Sequence, residues 1–381
     1  MITLNLPLIT KEKITHPVLL VDQAKVMKNI MKMQRVARSF DLLFRPHFKT
    51  HQSADIGNWF RSYGIDKITV SSLAMAKYFA ANGWNDITIA FLLNPNSISQ
   101  INSFSADVNL HIVLDSQETM RALIDRIKRP VHVWIKVDCG LDRTGISWEF
   151  PAEIASFAHM TGESDLLDFK GILTHAGQSY SARGAEQILH VHAQTHERML
   201  EVKSYLLGHG LRSCLISVGD TPTCSVANDF NGIDEIRPGN FVFYDLSQYY
   251  IGSCNKKDIA VALACPVVGK YKQRLQIVIH GGAVHLSKDS LRIDDRTIYG
   301  YLTTYTDRQL GEFVDTAPVI SISQEHGIVQ LDESLFSQIN IGDIVLVTPV
   351  HSCLTCDLQA SYRILDETST ILKKFRTTGE E

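Results

Sequence analysis

VHVWIKVD (131–138), FKGILTHAG (169–177) and CLISVGD (214–220) decide the fold. Each is a short apolar, β-branched run that closes on polar or glycine residues. Between the last two, Ala185 to Leu207 has helical composition and no proline. Strand, helix and strand in that order make a parallel βαβ unit. The same texture extends outward on both sides. VLLVD (18–22), LLFRPHFKT (42–50), KITVSSL (67–73), ITIAF (87–91) and LHIVLD (110–115) precede these runs, and IRPGNFVFYD (236–245) follows them. After VLLVD, Val26, Ile30, Met33 and Val36 recur at helical spacing. Eight or nine such strands over roughly 230 residues fit a closed α/β barrel of the (β/α)8 TIM type better than an open sheet.

The texture changes after about Asp245. VALACPVVGKY, RLQIVIHGG, VISISQ and DIVLVTPVHS are strands without long helices between them. The expectation is a barrel over 15–245, then a mainly antiparallel β-domain over 246–381 that 1–14 can join. The whole chain has 381 residues, 45% hydrophobic and 20% charged, ordinary for a globular protein and long enough to bury a large core unstapled. A net charge of −4 offers no electrostatic footprint for nucleic acid or an anionic membrane. The opening MITLNLPLITKEK lacks a basic, then apolar, secretory pattern. No uncharged apolar run approaches the ~18 residues of a membrane span. Seven scattered cysteines read as reduced thiols of a cytoplasmic protein.

Nearly every strand of the first half ends in polar or glycine residues. They include Lys49-Thr50-His51, Asp138, Thr174-His175-Ala176-Gly177, Ser217 to Thr221 and Arg237-Pro238-Gly239-Asn240. Singly, such endings are what any strand leading into a turn has. In a barrel they converge on one rim, where active sites sit. Lys49 closes the run LLFRPHFKT, and alternation would put Arg45, His47 and Lys49 on one face. A partly buried lysine among cations has a depressed pKa and can form a Schiff base, although a lysine there can also simply reach out to solvent. SVGDTPT and RPGN carry glycine in strand-to-loop turns, where bare N–H groups can face a phosphate. In PVHSCLTCD, His351 and Cys353 stand two apart, so an extended segment points both to one side. Imidazole plus thiolate suits Zn2+, and two protein ligands leave positions open for substrate. An isolated pair of this kind is also common in ordinary loops.

Taken in order, THPVLLVD, RPHFKTH, VDCGLDRTG, GILTHAGQSY, SVGDTPT, EIRPGNFVFYD and PVHSC resemble the D-threonine aldolase and D-serine dehydratase family of pyridoxal-phosphate enzymes, which share the alanine racemase-like barrel. The resemblance runs from about residue 15 to 357, with RPHFKTH and the terminal PxHxC as its specific parts. It implies a β-domain after the barrel and a head-to-tail homodimer. It implies that Lys49 holds pyridoxal 5'-phosphate as an internal aldimine. Arg143 would stand beside the cofactor's phenolic oxygen, His175 would stack on the pyridine ring, and Tyr180 and Tyr244 would border the pocket. Gly219, Asp220, Thr221, Gly239 and Asn240 would bind the phosphate, and Arg237 would face the pyridine nitrogen. His351 and Cys353 match the metal ligands of the branch acting on β-hydroxy D-amino acids.

A β-hydroxyl is a poor leaving group at neutral pH, and a bound Zn2+ can assist its departure as a Lewis acid. The same contact serves aldol cleavage, so a metal selects for a β-hydroxy substrate rather than for one reaction. In the family's aldolases the second ligand is typically a carboxylate. A thiolate from Cys353 favours Zn2+ over Mn2+ or Mg2+ and favours D-serine dehydratase-like chemistry, giving a 2-oxo acid and ammonia. D-threonine aldolase-like cleavage to glycine and an aldehyde is the alternative. Racemization needs a second base, and Tyr299, Tyr301 and Tyr305 lack the context expected of one. A non-enzymatic pyridoxal-phosphate-binding protein would need neither the β-domain nor the His–Cys pair.

Overall fold

The computed structural model describes residues 14–306, 309–365 and 370–375. Residues 1–13, which the sequence left free to join the β-domain, lie outside that range. The described chain forms two units, one of residues 31–49 and 57–239, the other of 14–30, 50–56 and 240–375.

The first unit is the barrel. Its parallel strands follow one another around the sheet as Leu43–Phe44, Glu235–Ile236, Leu215–Val218, Leu167–Leu173, Val131–Asp138, Asn109–Leu114, Asp86–Leu92 and Lys67–Val70. A parallel bridge from His47 to Thr69 joins the two ends. There Phe48 N donates to Thr69 O (2.8 Å) and Thr69 N to Pro46 O (2.9 Å). LLFRPHFKT is thus less regular than its apolar pattern suggests. Pro46 has no N–H to give to a ladder, and residues 48–51 leave the strand as a turn. Phe48, fully buried, fixes that turn by packing against Phe60, Phe79 and Trp84 at centroid distances of 4.9, 5.1 and 5.0 Å. IRPGNFVFYD is shorter than expected too: extended pairing stops at Ile236, and Asn240–Val242 is a 3-10 turn after Pro238-Gly239.

The second unit is built on a nine-stranded sheet in the order Gln276–His280, His326–Gln330, Gln309–Ile322, Gly300–Thr306, Ile344–Pro349, Val261–Tyr271, Val18–Val21, Ser361–Ile364 and Ile371–Lys373. Pairing is antiparallel except between Val18–Val21 and Ser361–Ile364. VLLVD, placed by its sequence position in the barrel over 15–245, therefore belongs to this sheet. Leu20 and Val18 pack there with Ala262, Ala264, Ile344 and Leu346, each large side chain contributing about 1.5–3 kcal/mol by leaving water. A strand buried on both faces carries no alternation to reveal its partner. Residues 50–56 also belong to this unit: Tyr362 Oη donates to His51 O (2.6 Å) and Gln52 Nε2 to Asp357 Oδ1 (2.9 Å).

Candidate active site

On the barrel, the strand ends bring together a cluster of cations around His175. Lys136, Lys49 and Arg143 all act on the His175 ring by their charge, and with burial as the largest cause they lower its pKa to about 3. Its Nδ1 hydrogen-bonds the Gly219 carbonyl, which makes Nδ1 the protonated nitrogen of a neutral ring. Arg237 is buried, with Nε donating to Ser217 Oγ (2.7 Å) and Nη2 to Thr174 O (2.6 Å). Burial brings its pKa down to about 10. A side chain on Gly219 would press on Arg237, 3.0 Å from its Cβ, so that glycine lets the two strand ends close.

Arg45, His47 and Lys49 do not share one face. Arg45 turns inward to Glu235 (2.7 Å) and Asp86. His47 Nδ1 accepts from Lys49 N (3.3 Å), and the Lys49 side chain is exposed on the turn. The buried lysine of the barrel is Lys136, on Val131–Asp138. Burial first, then the charges of Arg237 and Arg143, lower its pKa to about 7. Sequence reasoning missed it, although a lysine within the apolar run VHVWIKVD was the available signal.

Asp220 caps the helix Thr221–Val226, its Oδ1 accepting from Thr223 N (2.7 Å) and Ser179 Oγ (2.9 Å). Burial raises its pKa to about 6. The Asp220 carboxylate is committed to the cap, so Asp220 can meet an anion only through its backbone N–H. Tyr180 Oη accepts weakly from Thr221 N (3.5 Å), and the Tyr180 ring lies 6.0 Å from His175.

In the second unit, His351 and Cys353 do come together, by a different geometry from the extended segment expected. Pro349 ends its strand, His351 caps the helix Ser352–Leu358, and Cys353 is the second residue of that helix. His351 Nδ1 lies 2.7 Å from Asp289 Oδ2. Burial opposes a charge on the ring, but hydrogen bonds and charge from Cys353, Asp245 and Asp289 outweigh it and raise its pKa to about 10. Cys353 Sγ stands 3.3 Å from Thr50 Oγ1 and 3.5 Å from Asn240 Nδ2. Buried Asp245 organises this corner by accepting from Asn240 Nδ2 (2.6 Å), Ser352 N (2.9 Å) and Ser352 Oγ (3.1 Å). Tyr244 is buried with a positive φ of 49°, a strained backbone of the kind found near functional sites. Cys356 is fully buried on the same helix. Asp289 and Asp245 escaped sequence reasoning, and Thr50 was read only as part of a polar strand end, because only folding brings them to His351 and Cys353.

These residues fit the implied groups. Clustered cations beside the backbone of the Gly219–Thr221 turn suit a phosphorylated aldehyde. Asn240 Oδ1, buried without a hydrogen-bond partner among the described residues, is an acceptor that suits a donor or a cation. An imidazole oriented by a carboxylate, beside a thiol, is a donor set for a Zn2+-class ion.

The chain matches the family model described as alanine racemase, N-terminal domain, over residues 21–247, and the putative serine dehydratase domain over 260–365. D-serine dehydratase of Dictyostelium discoideum is 27% identical, over 94% of this chain and 95% of that protein. D-threo-3-hydroxyaspartate dehydratase of Delftia sp. is 26% identical, over 92% and 93%. A solved structure of the Delftia enzyme superposes with a TM-score of 0.86 at 24% identity, covering 95% of this chain and 98% of that one. A mutant of that enzyme described as a metal-free form gives 0.87 at the same identity and coverage.

Proposed function

This chain belongs to the family of the alanine racemase N-terminal domain, and from that we propose that it is a pyridoxal-phosphate- and metal-dependent lyase acting on a β-hydroxy D-amino acid. The reaction we assign is dehydration of D-serine or a close relative to a 2-oxo acid and ammonia. The relatives named dehydratases, matched along nearly their whole length, support this reading. The observation that carries it is the His351–Cys353 pair, held by Asp289 and bordered by Thr50 and Asn240.

When bound, pyridoxal phosphate supplies an electron sink for charge developing at Cα, and a Zn2+-class ion supplies Lewis acidity toward the β-hydroxyl oxygen. In this reading Lys49, exposed and adjustable on its turn, holds the cofactor and then takes the Cα proton at Nζ. His175, kept neutral, offers its ring to the pyridine without adding charge. Arg143 neutralises the phenolic oxygen and Arg237 faces the ring nitrogen. Backbone N–H groups of Gly219, Asp220, Thr221, Gly239 and Asn240 take the phosphate, while Tyr180 and Tyr244 border the pocket. His351 and Cys353 hold the ion, most favourably Zn2+, since thiolate is a soft donor; Mn2+ or Mg2+ would suit a carboxylate there. The enzyme is expected as a cytoplasmic, head-to-tail homodimer, with no membrane or nucleic-acid partner. No helix among the described residues is long and apolar enough to cross a membrane.

A panel of D- and L-β-hydroxy amino acids, with 2-oxo acid, ammonia and aldehyde followed separately, tests the reading. Pyruvate and ammonia from D-serine support it. Glycine and aldehyde from D-threonine at far higher rates would make the enzyme an aldolase.

A further inference from the structure

Among the described residues, one group of three metal-type donors lies within ligating reach: His280, His285 and Glu325, with one donor atom each inside 4.8 Å of the others. His280 ends the strand Gln276–His280, His285 lies on the short helix Ala283–Leu286, and Glu325 sits in the turn between Gln309–Ile322 and His326–Gln330. Glu325 Oε2 stands 3.5 Å from His280 Nε2 and 3.8 Å from His285 Nε2. Charge-assisted hydrogen bonds draw in to about 2.7–2.9 Å. Two imidazole nitrogens facing one carboxylate oxygen at these longer distances have the spacing of donors around an ion. A tetrahedral Zn2+ with ligands near 2.1 Å places them about 3.4 Å apart. His280 and Glu325 are partly exposed, and their side-chain torsions can close the remainder.

The backbone presenting these donors is built for close approach. Gly281 N donates to Glu325 O (2.9 Å), Ala283 N to Ser323 O (2.8 Å) and Val284 N to Gln324 O (3.2 Å). A Cβ at Gly282 would meet Gln324 O at 2.4 Å, and one at Gly327 would meet Gly281 O at 2.7 Å. Glycine at both positions lets the loop His280–His285 dock on the turn that carries Glu325. From there the geometry leads to His351. His285 O accepts from Gln359 Nε2 (3.2 Å), and Leu286 O from Thr355 Oγ1 (3.0 Å) on the helix that carries Cys353. Three residues beyond Leu286, Asp289 accepts from His351.

We propose that His280, His285 and Glu325 form a second metal site, separate from the His351–Cys353 pair, for a Zn2+-class divalent ion that braces the segment carrying Asp289. Two imidazoles and one carboxylate suit Zn2+, Co2+ or Ni2+ rather than Ca2+ or Mg2+. The test loads the purified full-length protein with Zn2+ or Co2+ and counts ions per chain after dialysis. A thiolate-to-Co2+ charge-transfer band belongs only to a site containing Cys353, so it separates the two. Cys353→Ala should still hold one ion without that band. Glu325→Gln, nearly isosteric at an exposed position, should hold one fewer ion than the wild type, keep the band, and need several-fold more Co2+ to saturate it. Retention of the wild-type ion count in Glu325→Gln, or loss of all metal in Cys353→Ala, would overturn the second site. An unshifted Co2+ midpoint would overturn its bracing role. A wild type that holds one ion, kept in Cys353→Ala and lost in Glu325→Gln, would uphold this site while removing metal from the lyase proposal.

Discussion

Replacing Asp289 by alanine should weaken metal binding at His351 and Cys353 about tenfold. Asp289 Oδ2 lies 2.7 Å from His351 Nδ1, so the ring is held with Nδ1–H donated and Nε2 left to ligate. A hydrogen bond to a charged group contributes about 1.5–3 kcal/mol. Both side chains are a third or more exposed, His351 35% and Asp289 46%, so solvent holds the value to the lower end. About 1.5 kcal/mol is about one decade in affinity, within the range expected for a residue that orients a metal-bound histidine. A second effect opposes the first. The carboxylate also helps raise the His351 pKa to about 10, so losing it weakens proton competition with the metal. The affinity loss should therefore grow as the titration is moved toward pH 9. The assay is Co2+ titration followed by the thiolate charge-transfer band, with D-serine turnover at limiting and saturating metal. Asp289→Asn, which keeps an acceptor, should recover part of the loss, and saturating metal should restore most turnover to Asp289→Ala. An unchanged midpoint at every pH, or lost turnover despite full occupancy, would refute the reasoning.

Lys49→Ala should retain pyridoxal phosphate only reversibly, so that after borohydride reduction no cofactor stays fixed to the denatured chain, while Lys136→Ala keeps the covalently fixed cofactor. The reverse pattern would move the cofactor to Lys136, the buried lysine. Phe48→Ala should destabilise the barrel by about 3–5 kcal/mol, as removal of a large buried ring does, which denaturant unfolding measures. Stability should also fall as pH drops from 6.5 toward 4. Burial lowers the pKa of His51 to about 3, His111 to about 4 and His175 to about 3, so the unfolded chain takes up three protons that the native state refuses. Asp220, raised to about 6, works the other way by holding one more proton when folded. The difference of about two protons near pH 5 gives about 2.7 kcal/mol per pH unit; a flat profile from pH 6 to 4.5 would contradict it.

The barrel was legible because eight of its strand runs are short and largely apolar and nearly all end in polar or glycine residues, a pattern that local sequence carries. VLLVD was assigned to the wrong sheet because its pairing with Val261–Tyr271 and Ser361–Ile364 is a long-range event that a uniformly apolar run does not encode. Alternation misled at Arg45 to Lys49, where Pro46 and the burial of Phe48 convert a strand end into a turn. His351 and Cys353 were paired by spacing and read as ligands from the resemblance, and a helix start rather than an extended segment joins them. Lys136 could have been noticed as a charge inside an apolar strand. Asp289 and Asp245 could not, nor could the partnership of Thr50 with Cys353, since nothing in their neighbouring residues marks them as partners of a histidine and a cysteine far away in the chain. The same holds for Glu325 opposite His280 and His285.

The most direct test of the lyase proposal is D-serine turnover before and after chelation, with the absorbance of bound pyridoxal phosphate recorded on the same sample. Chelation should abolish pyruvate and ammonia production and leave that absorbance unchanged, because the metal acts on the substrate hydroxyl, and Zn2+ should restore activity to the wild type but not to Cys353→Ala. Undiminished turnover after removal of the metal, or metal-independent racemization of D-alanine in its place, would contradict the account.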